Sequence, residues 1–271
     1  MQKADPYTDP DRQADATIQA IITRLEERGQ HPEFLRMITD YLSTLPEDRP
    51  LKALDLGCGT GVVTRHLRGR LHRDSAVHGA DISERLLDTA RSLSSTEAIA
   101  WDKLDSTNLP YSDASFDVVI MHTVLSHVPH PLDLLHEASR VLAIGGRLII
   151  FDADHASTTY GLPDYAAMRE MDFKLATAIA THPDICRQLP RYLKAAGFKL
   201  KNHRSAILSE CGRGDYWLSS VRGFARMIPA LGILSPAEGE AWVSHQMKSH
   251  EEGTFFAAGA FYTFYAVRDG E

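Results

Sequence analysis

A chain of 271 residues with 44% hydrophobic and 24% charged content is ordinary for a globular protein, which excludes a disordered or low-complexity reading. Its 29 basic and 36 acidic side chains leave a formal charge of −7, a balance that argues against nucleic acid or an anionic membrane as the main partner. Cys58, Cys186 and Cys211 are odd in number and form no CxxC pair, so neither a zinc knuckle nor a disulfide framework is expected and a reduced, intracellular setting fits.

The start, MQKADPYTDPDRQAD, lacks the apolar segment of a secretory signal. The longest apolar runs, such as VVIM (118–121) and LIIF (148–151), are too short to span a bilayer. A cytoplasmic chain without a membrane partner is therefore expected. Length alone suits one large domain or one domain with a cap.

Residues 16–25 and 33–45 carry apolar positions at helical spacing, and Pro46 and Pro50 bracket a break after them. From Leu51 short apolar runs alternate with helical stretches. Strands are expected at 51–57, 76–81, 99–105, 116–121 and 147–153. Helices are expected at 61–70, 84–93 and 132–142, with a Gly145–Gly146 turn before the fifth strand. This alternation implies βαβ crossovers and a parallel, doubly wound sheet covered on both faces. Residues 155–195 read as mostly helical. A strand follows at 198–207, two helical stretches lie around Pro229 and Pro236, and a final strand at 255–267 is expected to pair antiparallel at the sheet edge.

The strongest motif is LDLGCGTG (54–61), where a strand runs into a helix. Glycines at 57, 59 and 61 allow a tight turn and close approach of backbone to a ligand, and the helix start offers unpaired amide hydrogens. Asp81, in GADIS (79–83), ends the second strand, where a carboxylate can accept both ribose hydroxyls; a helix cap by Asp81 or Ser83 is the competing role. Asp105 ends the third strand, where it can accept an adenine amino group, with the Ser106 amide beside it; Asp102 is a weaker competitor. A dinucleotide fingerprint would place glycine at 62, three residues after Gly59, but position 62 is Val.

Together these residues resemble the class I S-adenosylmethionine-dependent methyltransferases of small-molecule type. LDLGCGTG matches that family's first motif, Asp81 and Asp105 fall where it places its ribose and adenine acids, and FDVVIMHTVLSHV with EASRVLAIGGRLIIFDAD (137–154) looks like its later strand–helix–GG–strand segment. The resemblance covers about residues 50–155. It implies an α/β, Rossmann-like, doubly wound sheet of seven mostly parallel strands with an antiparallel last strand, plus a helical lid. It divides the chain into an N-terminal helical lid (1–49), a cofactor-binding core (50–155), and a helical substrate lid carrying the final strands (156–271). S-adenosylmethionine is the implied cofactor and S-adenosylhomocysteine its product. By the resemblance, Asp55 and Gly57 sit beside the methionine amino group, Gly59 packs on the ligand and the His122 carbonyl takes another amino hydrogen. Asp81 holds the ribose, Ile82 packs on the adenine, Asp105 and Ser106 hold the adenine's polar edge, and Leu125 and His127 lie near the methyl end.

The activated methyl needs an aligned nucleophile, with an optional base to take its proton. His127 and His155 are the candidate catalytic residues, with His122 a third option. Asp152 and Asp154 follow the fifth strand and can orient a polar group of the acceptor; no metal site is expected. GxSxG and HExxH motifs are absent. Tyr160, Tyr165, Met168, Phe173, Tyr216, Trp217, Phe224, Met227 and Trp242 offer apolar cover for a small-molecule acceptor, about half of them expected to form lid core instead, and Tyr7 can fold over the ligand. The chain is read as a methyltransferase acting as a monomer or homodimer on a small, aromatic or polyketide-like metabolite. The alternatives are a non-methylating enzyme that uses the bound sulfonium for cyclisation or decarboxylation, and an inactive partner subunit.

Overall fold

A computed structural model describes residues 5–94 and 98–270. The first four positions of the expected N-terminal lid and the last residue of the C-terminal one lie outside the described residues. The segment before the sheet forms a short 3-10 turn (Pro10–Arg12) and helices α1 (Asp15–Gln30) and α2 (Pro32–Leu42). The alternating region supplies β1 (Lys52–Leu56), α3 (Val62–Arg70), β2 (Ala76–Asp81), α4 (Glu84–Leu93), β3 (Ala100–Lys103), β4 (Phe116–His122), α5 (Pro131–Val141) and β5 (Leu142–Tyr160). The remainder is α6 (Tyr165–Ile179), α7 (Ile185–Ala195), β6 (Phe198–Gly212), α8 (Tyr216–Leu231), α9 (Pro236–Glu252) and β7 (Phe255–Arg268).

Local chemistry accounts for these boundaries. Pro32 and Pro131 occupy the first turns of α2 and α5, where a missing N–H costs nothing. The Ser83 side chain accepts from the Leu86 N–H at 3.2 Å and caps α4. Serine 235 and Glu238 form a reciprocal capping box that starts α9, which ends at Gly253 with φ 75°. On α7 the buried positions Ile185, Cys186, Leu189 and Leu193 recur at helical spacing, so that face seals onto the sheet despite Pro190.

The strands form one sheet in the order β3-β2-β1-β4-β5-β7-β6. Pairings from β3 through β5 are parallel, and β7 pairs antiparallel with both β5 and β6. The antiparallel last strand thus matches the expectation, but its place does not: β7 lies inside the sheet and β6 forms the edge. The near-continuous apolar character of FFAAGAFYTFYAV, broken only by Thr263 and the tyrosine hydroxyls, suits an interior strand with neighbours on both sides. Alternation divides the core between the two faces. Val118, Ile120, Ile149 and Phe151 pack with α2 and α3, whereas Val119, Met121, Leu148 and Ile150 pack with α5 and α7.

Two further expectations are corrected. The fifth strand runs from Leu142 to Tyr160 instead of stopping at 153, because β7 pairs with it up to Tyr160. The Gly145–Gly146 turn is an irregularity inside that strand, marked by the register shift between Phe116 and Val118 of its neighbour. The third strand ends at Lys103, so Asp105 lies beyond it. Among the described residues no helix is long and apolar enough to cross a membrane.

Chain order reverses between β1 and β4, and their carboxyl ends open a crevice there. One glycine at its mouth is conformationally demanded: Gly61, with φ +79°, would drive an added Cβ into Trp101 and Ala90. Gly61→Ala is expected to cost at least about 1–2 kcal/mol for the left-handed backbone. It should lower the urea midpoint and change Trp101 emission; an unchanged midpoint and spectrum would contradict this packing.

Candidate functional site

The loop after β1 is built from left-handed glycines at 57, 59 and 61 (φ 76°, 54° and 79°). It is fastened to the end of β2. The Gly57 and Cys58 amides donate to the Ala80 carbonyl at 2.7 and 3.0 Å, and the Gly59 amide donates to Asp81 Oδ2 at 2.7 Å. The other Asp81 oxygen accepts from the Ser83 amide at 2.9 Å. A carboxylate offers about four acceptor positions, so Asp81 retains capacity for a hydroxylated ligand. Capping of α4 falls to Ser83, which separates the two roles that the sequence leaves open for Asp81. Burial raises the Asp81 pKa above the usual carboxylate range.

Asp55 lies beneath the loop and is 1% exposed. Its Oδ2 accepts from the Thr64 hydroxyl at 2.6 Å, while Oδ1 is buried without a protein partner. Burial lifts its pKa to about 7, opposed by the Thr64 hydrogen bond and aided by the negative charge of Asp81. A buried carboxylate oxygen awaiting a donor fits an ammonium group. A Cβ at Gly57 would lie 2.6 Å from Val124, so the turn can hold only glycine without displacing that wall. The residues present therefore fit an aminoacyl-bearing adenosyl ligand.

Ile82 is 42% exposed at the cavity wall. Asp105 and Ser106 also line the cavity; the Asp105 side chain is 96% exposed and reaches 4.0 Å from Lys103. Asp102, the weaker competitor, binds His78 and Tyr111 instead, each at 2.8 Å. His122 ends β4. Its Nδ1 lies 2.9 Å from the Tyr41 hydroxyl and its ring stacks on Phe151 at 4.4 Å. Desolvation, and then the charge of Arg28, press its pKa well below the ordinary value, which disfavours it as a base.

Leu125 is a correction. Val124, His127 and Val128 line the cavity on one side of a helical turn closed by the His127 and Val128 amides on the Val124 carbonyl. Leu125 points to the opposite side and is fully buried in the core that packs with α5. Asp152 and Asp154 are corrected as well, since both lie within β5 and both are engaged. Asp152 accepts from the Ser126 and Ala153 amides at 3.2 and 2.9 Å, and Asp154 accepts from Arg187 at 3.0 Å. Among the described residues no three His, Cys, Asp or Glu side chains form a metal-holding group.

His127 and His155 come together, with ring centroids 5.9 Å apart at the cavity wall. The His155 Nε2 is buried without a partner. Burial, then the His127 charge, push the His155 pKa down to about 3, so its imidazole is neutral at ordinary pH.

The crevice opens into a cavity of about 1720 Å³, larger than the roughly 300–1,000 Å³ of common small-molecule sites. Of the expected apolar cover, Tyr160, Tyr216, Trp217, Phe224 and Met227 line it. Trp242 packs behind, 5.4 Å from the Tyr160 ring, while Tyr165 and Phe173 of α6 point outward at 72% and 69% exposure. Met168 is absent from the wall. Tyr7 does lie at the cavity.

Several site residues escape a reading of the sequence. Arg24 and Arg28, one turn apart on α1, both face the cavity. Arg24 donates to Ser220 at 2.7 Å and covers the Tyr216 ring at 4.2 Å; Arg28 donates to the Thr123 hydroxyl at 2.8 Å. Among the described residues neither pairs with a carboxylate. Thr123 itself sits at φ 54°, a strained position for a β-branched residue, at the tip of β4. The available signal was the pair of arginines at four-residue spacing on an otherwise amphipathic helix.

A model of the methyltransferase domain family matches residues 54–150. Methyltransferase GfsG of Streptomyces halstedii is 35% identical over 234 residues, covering 84% of this chain and 76% of that protein. An uncharacterized 37.1 kDa protein in a Streptomyces fradiae transposon is 31% identical, over 85% of this chain and 65% of its own. The 27-O-demethylrifamycin SV methyltransferase of Amycolatopsis mediterranei is 34% identical over 47% of this chain and 48% of its own length. Alignments with the last two thus span less than two thirds of the relative. Among solved structures, a methyltransferase-like protein from Bacillus halodurans superposes with TM-score 0.61 at 16% identity, over 86% of this chain and 98% of its own. The [4+2]-cyclase SpnF superposes with TM-score 0.56 at 19% identity, over 89% and 85%. At these identities the superpositions establish the shared fold.

The raised pKa of Asp55 gives a proton-linked test. The folded chain keeps that proton up to about pH 7, whereas an unfolded carboxylate releases it near pH 4. The ligand-free protein therefore loses stability from this group as pH rises across that window. An ammonium group beside Asp55 favours the carboxylate, so binding below pH 7 releases a proton. Calorimetry of S-adenosylhomocysteine at about pH 6, in buffers of different ionisation enthalpy, should show that release in the unmodified chain and lose it in Asp55→Asn. Equal proton counts in the two proteins would contradict the assignment.

Proposed function

The chain belongs to the class I S-adenosylmethionine-dependent methyltransferases, and on that premise we propose that it methylates a bulky, largely apolar metabolite at a hydroxyl group. The observation that carries the reading is the continuity between the polar crevice at Gly57–Asp81 and the large aromatic-walled cavity. One compartment suits an adenosyl ligand and the other an acceptor of polyketide or polycyclic size. The named activity of the rifamycin relative supports that size class.

S-adenosylmethionine supplies a methyl group already activated on a sulfonium. Asp55, Gly57 and the His122 carbonyl receive the amino group, and Arg28 receives the carboxylate. Gly59 packs against the ligand, Asp81 takes the ribose hydroxyls, Ile82 covers the adenine, and Asp105 with the Ser106 amide reads its polar edge. Residues 50–155 thus serve as the cofactor core, and the flanking helices cover the acceptor. Alignment of the acceptor oxygen with the C–S bond can contribute on the order of 7–11 kcal/mol. His127 and His155 meet at the cavity wall. His127 is the group to remove the acceptor's proton, which can add roughly 10²–10⁴-fold, and His155, made a weak base by burial, flanks it. Nothing in the reading requires a second subunit.

Transfer of radiolabel from methyl-labelled S-adenosylmethionine should be measured across hydroxylated macrolactones and hydroquinones. The expected result is a labelled acceptor with S-adenosylhomocysteine formed in equal amount. Acceptor turnover without consumption of S-adenosylmethionine would overturn methylation in favour of a cyclase-like role. Asp81→Asn and Arg28→Ala should each weaken S-adenosylhomocysteine binding about 10–100-fold, the range for a hydrogen bond to a charged group. Asp105→Asn should weaken it less, because that carboxylate remains in solvent. Unchanged affinity in the first two variants would remove the binding assignment.

A further inference from the structure

The N-terminal segment brings a carboxylate to the cavity histidine from 122 residues away in sequence. Asp5 is only 7% exposed. Its Oδ2 lies 2.7 Å from Nδ1 of His127 and accepts from the Thr181 amide at 3.1 Å and the Thr181 hydroxyl at 3.2 Å. Its Oδ1 accepts from the Tyr7 amide at 3.0 Å. Four donors thus surround one buried carboxylate, which offsets the cost of removing it from water. The histidine is held at its backbone too: the Thr8 hydroxyl donates to the His127 carbonyl at 3.1 Å. The ring lies 4.7 Å from that of Tyr7, and the rest of the segment is anchored where Asp11 accepts from the Ser83 hydroxyl and the Glu84 amide at the start of α4, at 2.5 and 2.9 Å.

We propose that Asp5 is a positioning residue that holds His127 in the tautomer protonated on Nδ1, leaving Nε2 as the atom that takes the acceptor's proton. This rests on the reading of the cavity as the acceptor site. A ring nitrogen facing a carboxylate must carry the proton, and the partner of one nitrogen decides the state of the other. An imidazole left to water prefers its proton on Nε2, the form in which the nitrogen away from Asp5 is a donor and useless as a base. In the transfer, Nε2 takes the hydroxyl proton as the acceptor oxygen bonds the methyl carbon and the C–S bond breaks. The imidazolium formed is then stabilised by Asp5, and the proton passes to water on release. His155 lies beside it, its Nε2 buried without a partner, and does not compete for Asp5. A carboxylate that only tethered the segment would be served by Tyr7 and Thr181; the contact with Nδ1 is the part that a tether leaves unexplained.

The test uses the full chain labelled with nitrogen-15 at histidine, with the His127 signals assigned through His127→Gln. Long-range nitrogen–proton correlation spectra at a pH where the ring is neutral report which nitrogen carries hydrogen. The unmodified chain should show His127 protonated on Nδ1. Asp5→Ala should move it to the Nε2-protonated form or to a mixture, whereas Thr181→Ala, which removes one donor to Asp5 but not the contact with His127, should keep the Nδ1 form. S-adenosylhomocysteine affinity, titrated in parallel, should stay within about threefold in both variants, since Asp5 lies outside the adenosyl crevice. An Nε2-protonated ring in the unmodified chain, or identical spectra with and without Asp5, would overturn the proposal while leaving the methyltransferase reading intact. Absence of S-adenosylhomocysteine binding in the unmodified chain would instead undo that reading.

Discussion

The hydrogen bond from the Gly59 amide to Asp81 holds the crevice in shape. It is 2.7 Å long and joins the loop after β1 to the end of β2. Three consecutive odd-numbered glycines in left-handed conformations would otherwise leave a turn with large conformational freedom. The Asp81 carboxylate and the Ala80 carbonyl remove that freedom by accepting three loop amides between them. The same carboxylate retains acceptor capacity beyond the two amides it holds, so the group that shapes the loop is also open to a ligand. Burial of Asp81 and Asp55 makes both carboxylates costly when ionised, a cost of the kind that hydroxyl and ammonium donors relieve.

Around that fixed crevice the fold assigns different work to different elements. Parallel strands β1 to β5 deliver backbone and short polar side chains to one edge. Helices α1, α2 and α8 supply the wall, with Phe34, Tyr216 and Trp217 packed on Phe261 of β7 or on one another. Arg24 and Arg28 bring positive charge into this wall, and both are held by hydroxyls and aromatic faces rather than carboxylates. Such an arrangement leaves their charge available to an anionic group in the cavity.

Much of the core was legible because its signals are local. Strand β2 and helix α4 lie where alternation and the Ser83 cap put them, and the glycine loop announces itself by spacing. The assignments that failed depended on contacts distant in sequence. Whether 255–267 is an edge or an interior strand is decided by β6, which no local pattern couples to it. Leu125 and His127 are two residues apart, yet a single helical turn sends one into the core and the other into the cavity. Asp152 and Asp154 read as loop acids because β5 continues past them only through its pairing with β7. Asp5 carried no signal at all: a polar N-terminal residue becomes part of a site through partners at 127 and 181.

A crystal structure with bound S-adenosylhomocysteine is the most direct measurement. The expected result places both ribose hydroxyls on Asp81, the amino group against Asp55 and the His122 carbonyl, and the sulfur facing the cavity beside His127 and His155. A ligand whose ribose lies away from Asp81, or whose sulfur turns from the aromatic cavity toward solvent, would contradict the division of the site into an adenosyl crevice and an acceptor chamber.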